Sequence, residues 1–148
     1  MSYTHLAYHI VMGTKERRPF ITAPLLPRLR DYLGGIIRQH EGQMLAANGP
    51  EDHLHVLAQL SPRYSISDTL RVLKSNVSGW VHRTFPEFRA FGWQDGYAAF
   101  SVSRSILPRI LKYIEQQQEH HKRMSFREEL VRLLEAHGIA YDERYLPA

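Results

Sequence analysis

The stretch His53-Leu54-His55-Val56-Leu57-Ala58-Gln59-Leu60 decides how this chain folds. Successive side chains of a strand point to opposite faces, so Leu54, Val56, Ala58 and Leu60 form one uniformly apolar face. The other face carries His53, His55, Leu57 and Gln59. Imidazoles at alternate positions stand roughly 6.5 to 7 Å apart along a strand and can converge on one cation. A solvated or hydrogen-bonded pair is the other reading, and with nine histidines in the chain the spacing alone does not choose. Position argues for the metal, because the apolar face fills a core without either histidine.

The flanking segments supply the rest of a domain. Residues 4–13 are rich in β-branched and aromatic types and read as a strand. A basic loop follows at Lys15-Glu16-Arg17-Arg18-Pro19. Thr22 caps a helix predicted over 24–41, with Leu26, Leu29, Leu33, Ile36 and Ile37 on one stripe and Gly42 ending it. Residues 43–47 form a short strand, and Asn48-Gly49-Pro50 turn into the histidine strand. Ser65 with Asp68 signals the start of a helix reaching Phe85, just before Pro86. A strand over 97–102 and a helix over 106–121 come next. Ser125 with Glu128 opens a last helix that Gly138 stops. The order β-α-β-β-α-β followed by two helices predicts an α+β domain, with a ferredoxin-like split βαβ antiparallel sheet and C-terminal helices. Residues 1–148 are expected to form a single domain, since 148 residues hold one ordinary core but not two.

Composition narrows the chemistry. The chain has no cysteine, so disulfides and thiolate metal sites are excluded and any metal must use nitrogen and oxygen ligands. Charges interrupt every apolar run well before the ~18 residues of a membrane span, and the N-terminus lacks a signal-peptide pattern. A cytoplasmic protein without a membrane partner is expected. The formal charge of +4 is compatible with a nucleic-acid partner without demanding one.

Two further constellations carry candidate function. On the helix from Ile106, the core stripe is Ile106, Leu107, Ile110, Leu111 and Ile114. Tyr113 and Gln117 stack one turn apart on its flank, with Arg109 just outside it. A flank tyrosine is ordinarily half-buried packing, yet the same position holds the ring while leaving the oxygen accessible to a substrate. Gln117 could add a neutral amide oxygen to two imidazoles. His120 and His121 are rival ligands; their place beside Lys122 and Arg123 favours a solvated or phosphate-facing role. On the helix around 70–82, Arg71, Lys74, Ser78 and His82 share a polar side with no carboxylate among them, which suits phosphate oxygens. An ordinary solvated helix face accounts for it equally well. Lys15, Arg17 and Arg18 form a second basic cluster.

Taken together these residues resemble the single-tyrosine HUH transposases of small bacterial insertion sequences, the IS200-like family, with its REP-associated tyrosine transposases as a close variant. The likeness runs from Tyr8-His9-Ile10-Val11 and Arg17-Arg18-Pro19-Phe20 through Asp52-His53-Leu54-His55-Val56 and Leu73-Lys74. It continues through Trp93 to Tyr97 and Tyr113-Ile114-x-x-Gln117, closing on His120-His121 and Ser125-Phe126-x-Glu128-Glu129. The resemblance implies the HUH endonuclease architecture. It also implies that His53, His55 and Gln117 bind a divalent metal, Mg²⁺ or Mn²⁺, and that Tyr113 is the nucleophile. The implied substrate is single-stranded DNA bearing an imperfect hairpin, cut and rejoined through a 5′-phosphotyrosine, and the implied assembly is a homodimer. In it the histidine pair of one subunit can work with the tyrosine helix of the other; both motifs are present here, and the sequence leaves open which subunit supplies which. Lys15, Arg17, Arg18, Arg71, Lys74, Ser78, His82 and Arg109 are the candidates for contacting that DNA. Two rival readings stay open: a non-cleaving hairpin-binding module, and a metal-dependent hydrolase using water without a covalent step.

Overall fold

A computed structural model describes residues 1–147, so the last residue of the expected 1–148 domain lies outside it. Four strands form one antiparallel sheet: β1 (Ala7–Gly13), β2 (Gln43–Asn48), β3 (His53–Gln59) and β4 (Ala98–Ser101). Their spatial order is β2-β3-β1-β4. Helix α1 (Leu25–Gln39) joins β1 to β2, and α2 (Ile66–Thr84) joins β3 to β4. This is the predicted split βαβ arrangement. Beyond β4 come α3 (Leu107–Glu115), the single turn α4 (Gln117–His120) and α5 (Phe126–Ala136).

The helix ends follow local chemistry. Ser65 accepts a hydrogen bond from the Asp68 amide at the start of α2, and Ser125 accepts one from the Glu128 amide at the start of α5. Thr22 reaches the Leu25 amide at 3.3 Å, although the residue next to α1 is Pro24. The helix predicted over 106–121 is instead interrupted at Gln116, whose backbone leaves helical geometry between α3 and α4.

The main difference from expectation lies on the histidine side of β3. Helices α1 and α2 cover the apolar side, where Leu54, Val56 and Ala58 pack with Leu29, Leu33, Leu70, Leu73 and Val77. The opposite side is covered too. Leu57 packs there with Ala7, Val102 and Ile114, while Val11 and Phe100 meet Phe126 and Leu134 of α5. His53 and His55 are therefore fully buried between the sheet and the C-terminal helices. The sheet is the middle of three layers, and the histidines lie in the second interface.

A buried second interface makes a measurable prediction. Leu57→Ala should destabilise the protein by about 2–5 kcal/mol in urea unfolding, the cost of a core truncation. A loss under about 0.5 kcal/mol, typical of surface substitutions, would mean that this face is open.

Candidate active site

The site is built where β3 meets the three C-terminal helices. The turn before β3 is tight: a Cβ on Gly49 would lie 2.2 Å from the His53 carbonyl oxygen, so only glycine lets the chain fold back there. Asn48, at the end of β2, donates to the Ile114 carbonyl at 3.0 Å and to Gln118 Oε1 at 2.8 Å. Gln118 Nε2 returns a bond to Asn48 Oδ1 at 2.7 Å. This clasp fastens the break between α3 and α4 to the sheet of the same chain.

At the centre stands Glu129 of α5, which is 1% exposed. Its Oε1 meets three imidazole Nε2 atoms: His53 at 3.0 Å, His55 at 2.9 Å and His121 at 2.8 Å. Its Oε2 accepts the Tyr113 hydroxyl and, at 3.1 Å, the Gln117 amide nitrogen. Burial alone would raise this carboxyl; hydrogen bonds from His121, His53 and His55 outweigh burial and hold it ionised, far below the usual carboxylate range. Tyr113 is pushed the other way, above its ordinary value, by burial and then by the Glu129 charge. The resting phenol is therefore protonated and hydrogen-bonded.

A further shell orients the strand histidines. His53 Nδ1 lies 2.8 Å from Asp52 Oδ1, and Asp52 Oδ2 receives Arg17 Nε at 3.1 Å. Burial would lower His53, but its bonds to Asp52 and Glu129 prevail and raise it. His55 Nδ1 lies 2.7 Å from His9 Nε2. His9 faces Leu57 across the β1–β3 ladder, which makes it the diagonal same-face neighbour of His55. Phe126 stacks on His53 with ring centroids 3.9 Å apart.

The structure thus brings Tyr113, His53, His55 and Gln117 together, as expected, and adds residues that sequence reasoning passed over. His121 was expected in solvent or against phosphate; the turn after α4 points it inward to Glu129 instead. His120, with its Nε2 3.3 Å from the Tyr113 hydroxyl, does line an open cavity of about 400 Å³ with Gln116, Glu119 and Arg123. Glu129 was hidden behind the capping pair, yet it occupies the apolar stripe of its helix, three residues after Phe126 and four before Leu133. His9 left no signal without the strand register.

The basic candidates divide by location. Arg17 reaches the site through Asp52, and Glu16 and Arg17 both adopt positive φ (55° and 58°), a strained loop beside the cluster. Lys15 and Arg18 are exposed on the same loop, and Arg109 is exposed on α3. The α2 face lies across the sheet from Tyr113. Two of its members are engaged elsewhere, because the loop before β4 folds back over α2 and offers carbonyls. Lys74 Nζ donates to Gln94 and Gly96, and His82 Nε2 lies 2.8 Å from the Phe91 carbonyl oxygen. Nor is that side free of carboxylates, since Asp68 stands 3.6 Å from Arg71. Ser78 is partly exposed.

With this geometry in view, comparison with known proteins is decisive: the family model for IS200-like transposases matches residues 2–117. The chain belongs to the IS200-like transposase family. Curated relatives of this transposase include the ISDra2 transposase TnpA of Deinococcus radiodurans, 26% identical over 119 residues, covering 77% of this chain and 85% of the relative. The transposase of insertion sequence element IS200 from Salmonella typhimurium is 27% identical over 121 residues and covers 78% of each. Among solved structures, a transposase crystal structure from Deinococcus radiodurans superposes with a TM-score of 0.63 at 25% identity, covering 79% of this chain and 95% of that one. A REP-associated tyrosine transposase bound to a REP hairpin gives 0.61 at 15% identity, covering 82% and 72%, and supports the fold alone. The four-stranded sheet with its flanking helices is the HUH fold of these neighbours.

The IS200-like family implies a divalent metal, and the residues fit one. Imidazole nitrogens and a carboxylate oxygen of His53, His55, His121 and Glu129 lie within 4.8 Å of one another. Gln117, whose nitrogen touches Glu129, leaves its Oε1 buried without a partner among the described residues. An orphaned buried acceptor costs about 1–3 kcal/mol, and a cation would relieve it.

The site also shapes the acid response of the transposase. Burial, then the His55 ring, hold His9 down from an ordinary 6.5 to about 3. The folded state needs this ring neutral, while the unfolded chain protonates it below 6.5. Its contribution is complete above that pH and falls by about 1.4 kcal/mol per pH unit as pH drops toward the folded value. His9→Gln should remove that slope between about pH 6 and pH 4 in urea titrations; an unchanged slope contradicts the assignment.

Proposed function

We propose that this transposase cleaves and rejoins single-stranded DNA beside hairpins, with Tyr113 as nucleophile and a divalent metal, Mg²⁺ or Mn²⁺, held by His53, His55 and Gln117. The observation that carries the reading is the meeting of the Tyr113 hydroxyl with the carboxylate that gathers the strand histidines. A bound divalent ion supplies positive charge that polarises the scissile phosphodiester and offsets charge on its non-bridging oxygens.

The chain's own groups manage the tyrosine. A phenol near pKa 10 is a poor nucleophile at neutral pH, and this one is held still higher, so its proton must leave as it attacks. Glu129 already accepts that proton's hydrogen bond, and His120 stands beside it on the open side. The phenolic oxygen bonds to phosphorus, the bond from phosphorus to the 3′-oxygen breaks, and the released 3′-hydroxyl carries a proton. The phosphotyrosine retains the ester, so a 3′-hydroxyl can reverse the step and join strands without ATP.

A hairpin substrate is the proposal suggested by the shared fold, since a REP-associated tyrosine transposase of this fold was solved bound to a REP hairpin. Lys15, Arg17, Arg18 and Arg109 are the proposed backbone contacts, with Arg71 and Ser78 a more distant patch. Lys74 and His82 serve to hold the loop before β4. No helix among the described residues is long and apolar enough to cross a membrane, and the reading places the protein with DNA in the cytoplasm. The resemblance implies a homodimer. In our reading the chemistry needs only one chain, because Asn48 and Gln118 fasten the tyrosine helix to its own sheet.

The test is incubation with hairpin-bearing single strands and Mn²⁺. Wild type should form a covalent protein–DNA adduct that survives denaturing electrophoresis and disappears with EDTA, and Tyr113→Phe should form none. Cleavage that persists in Tyr113→Phe would establish the hydrolase instead. Hairpin binding without cleavage or adduct, across a broad substrate panel, would establish the binding module.

A further inference from the structure

The ligands implied by the family, His53, His55 and Gln117, all fall within the matched residues 2–117. His121 and Glu129 come from the stretch beyond it, yet they join the same cluster. Four donor atoms stand at hydrogen-bond distances: His53, His55 and His121 lie 3.0, 2.9 and 2.8 Å from Glu129 Oε1, and His53 Nε2 lies 3.1 Å from His121 Nε2. Around a tetrahedral ion with bonds of about 2.1 Å, neighbouring ligand atoms are about 3.4 Å apart. These four separations fall within about 0.6 Å of that value, and all the ligand atoms lie within 4.8 Å of one another, so small side-chain shifts would seat an ion among them.

Proton placement points the same way. When His53 Nδ1–H donates to Asp52 and His55 Nδ1–H donates to His9, both Nε2 lone pairs face the Glu129 oxygen. Without a metal the Nε2–H groups donate to Glu129; in this other tautomer the freed lone pairs need a cation between them and the carboxylate, and Nδ1–H donation outward is the outer-shell pattern of metal-bound histidines. We propose that His121 and Glu129 are metal ligands of this protein, giving a site of three imidazoles and one carboxylate beside Gln117. Three nitrogen donors suit a first-row transition ion better than Mg²⁺, which prefers oxygen. Helix α5 is then part of the metal centre.

The proposal rests on the metal-assisted reading but is tested apart from cleavage. X-ray absorption on wild-type protein loaded with Co²⁺ should count three imidazoles. Calorimetric titration with Co²⁺ should show the affinity of His121→Ala and of the isosteric Glu129→Gln falling by about tenfold or more. Two imidazoles in the wild type, or a smaller loss in both variants, overturns the proposal. The wild-type measurement decides even if a variant does not fold. Three imidazoles without any tyrosyl–DNA adduct would overturn the cleavage reading and leave the ligand set intact.

Discussion

The interaction on which the rest of this structure depends is the buried carboxylate of Glu129. An ionised carboxylate without partners in a protein interior would cost several kcal/mol or more, so α5 can pack against the sheet only where donors surround it. Those donors come from every neighbouring element: His53 and His55 from β3, Tyr113 from α3, Gln117 from α4 and His121 from the turn that follows. The break at Gln116 follows from the same need. A straight helix from 107 to 121 would rise about 1.5 Å per residue and carry His121 away from the carboxylate that Tyr113 also reaches. Interrupting it lets the chain turn both groups toward one point.

This arrangement also explains how a strand with two histidines can be buried on both faces. Leu54, Val56 and Ala58 face α1 and α2 as ordinary core. The histidine face would be a poor core by itself, but Phe126 stacks on His53, and each imidazole uses both ring nitrogens within the site. Access is left at the margins of the cluster. One opening of about 570 Å³ lies between Arg17, Asp52, His121 and Ser125, and another lies beside Tyr113, His120 and Arg123. Both margins carry cations, Arg17 at one and Arg123 at the other, which suits the phosphate backbone of the proposed substrate.

Much of this was legible in the sequence, for identifiable reasons. Strand β3 declared itself through one uniformly apolar face at alternate positions, and α2 and α5 through serine caps, which are local signals. The His53/His55 pair was visible because it sits within one strand, and the Tyr113/Gln117 pair because helical periodicity in the sequence runs across the break at Gln116. Glu129 was not, because Ser125 and Glu128 explained the helix start and left the next acidic residue looking solvated. Its spacing from Phe126 and Leu133 was the available signal, a carboxylate inside an apolar stripe. His121 was misplaced because helical periodicity ran unbroken through Gln116, whereas tertiary contacts to Asn48 break the helix there. The Lys74 and His82 side chains looked like free donors because a folded-back loop offering carbonyls leaves no mark in periodicity.

The central claim is that the histidines and the tyrosine of one chain form one site. Subunit complementation tests it most directly: His55→Ala and Tyr113→Phe proteins, each inactive alone, are mixed and assayed for tyrosyl–DNA adduct on hairpin-bearing single strands. A site assembled within one chain predicts no adduct in the mixture. Recovery of adduct would contradict the account, because it would require the tyrosine helix of one subunit to work against the histidines of another.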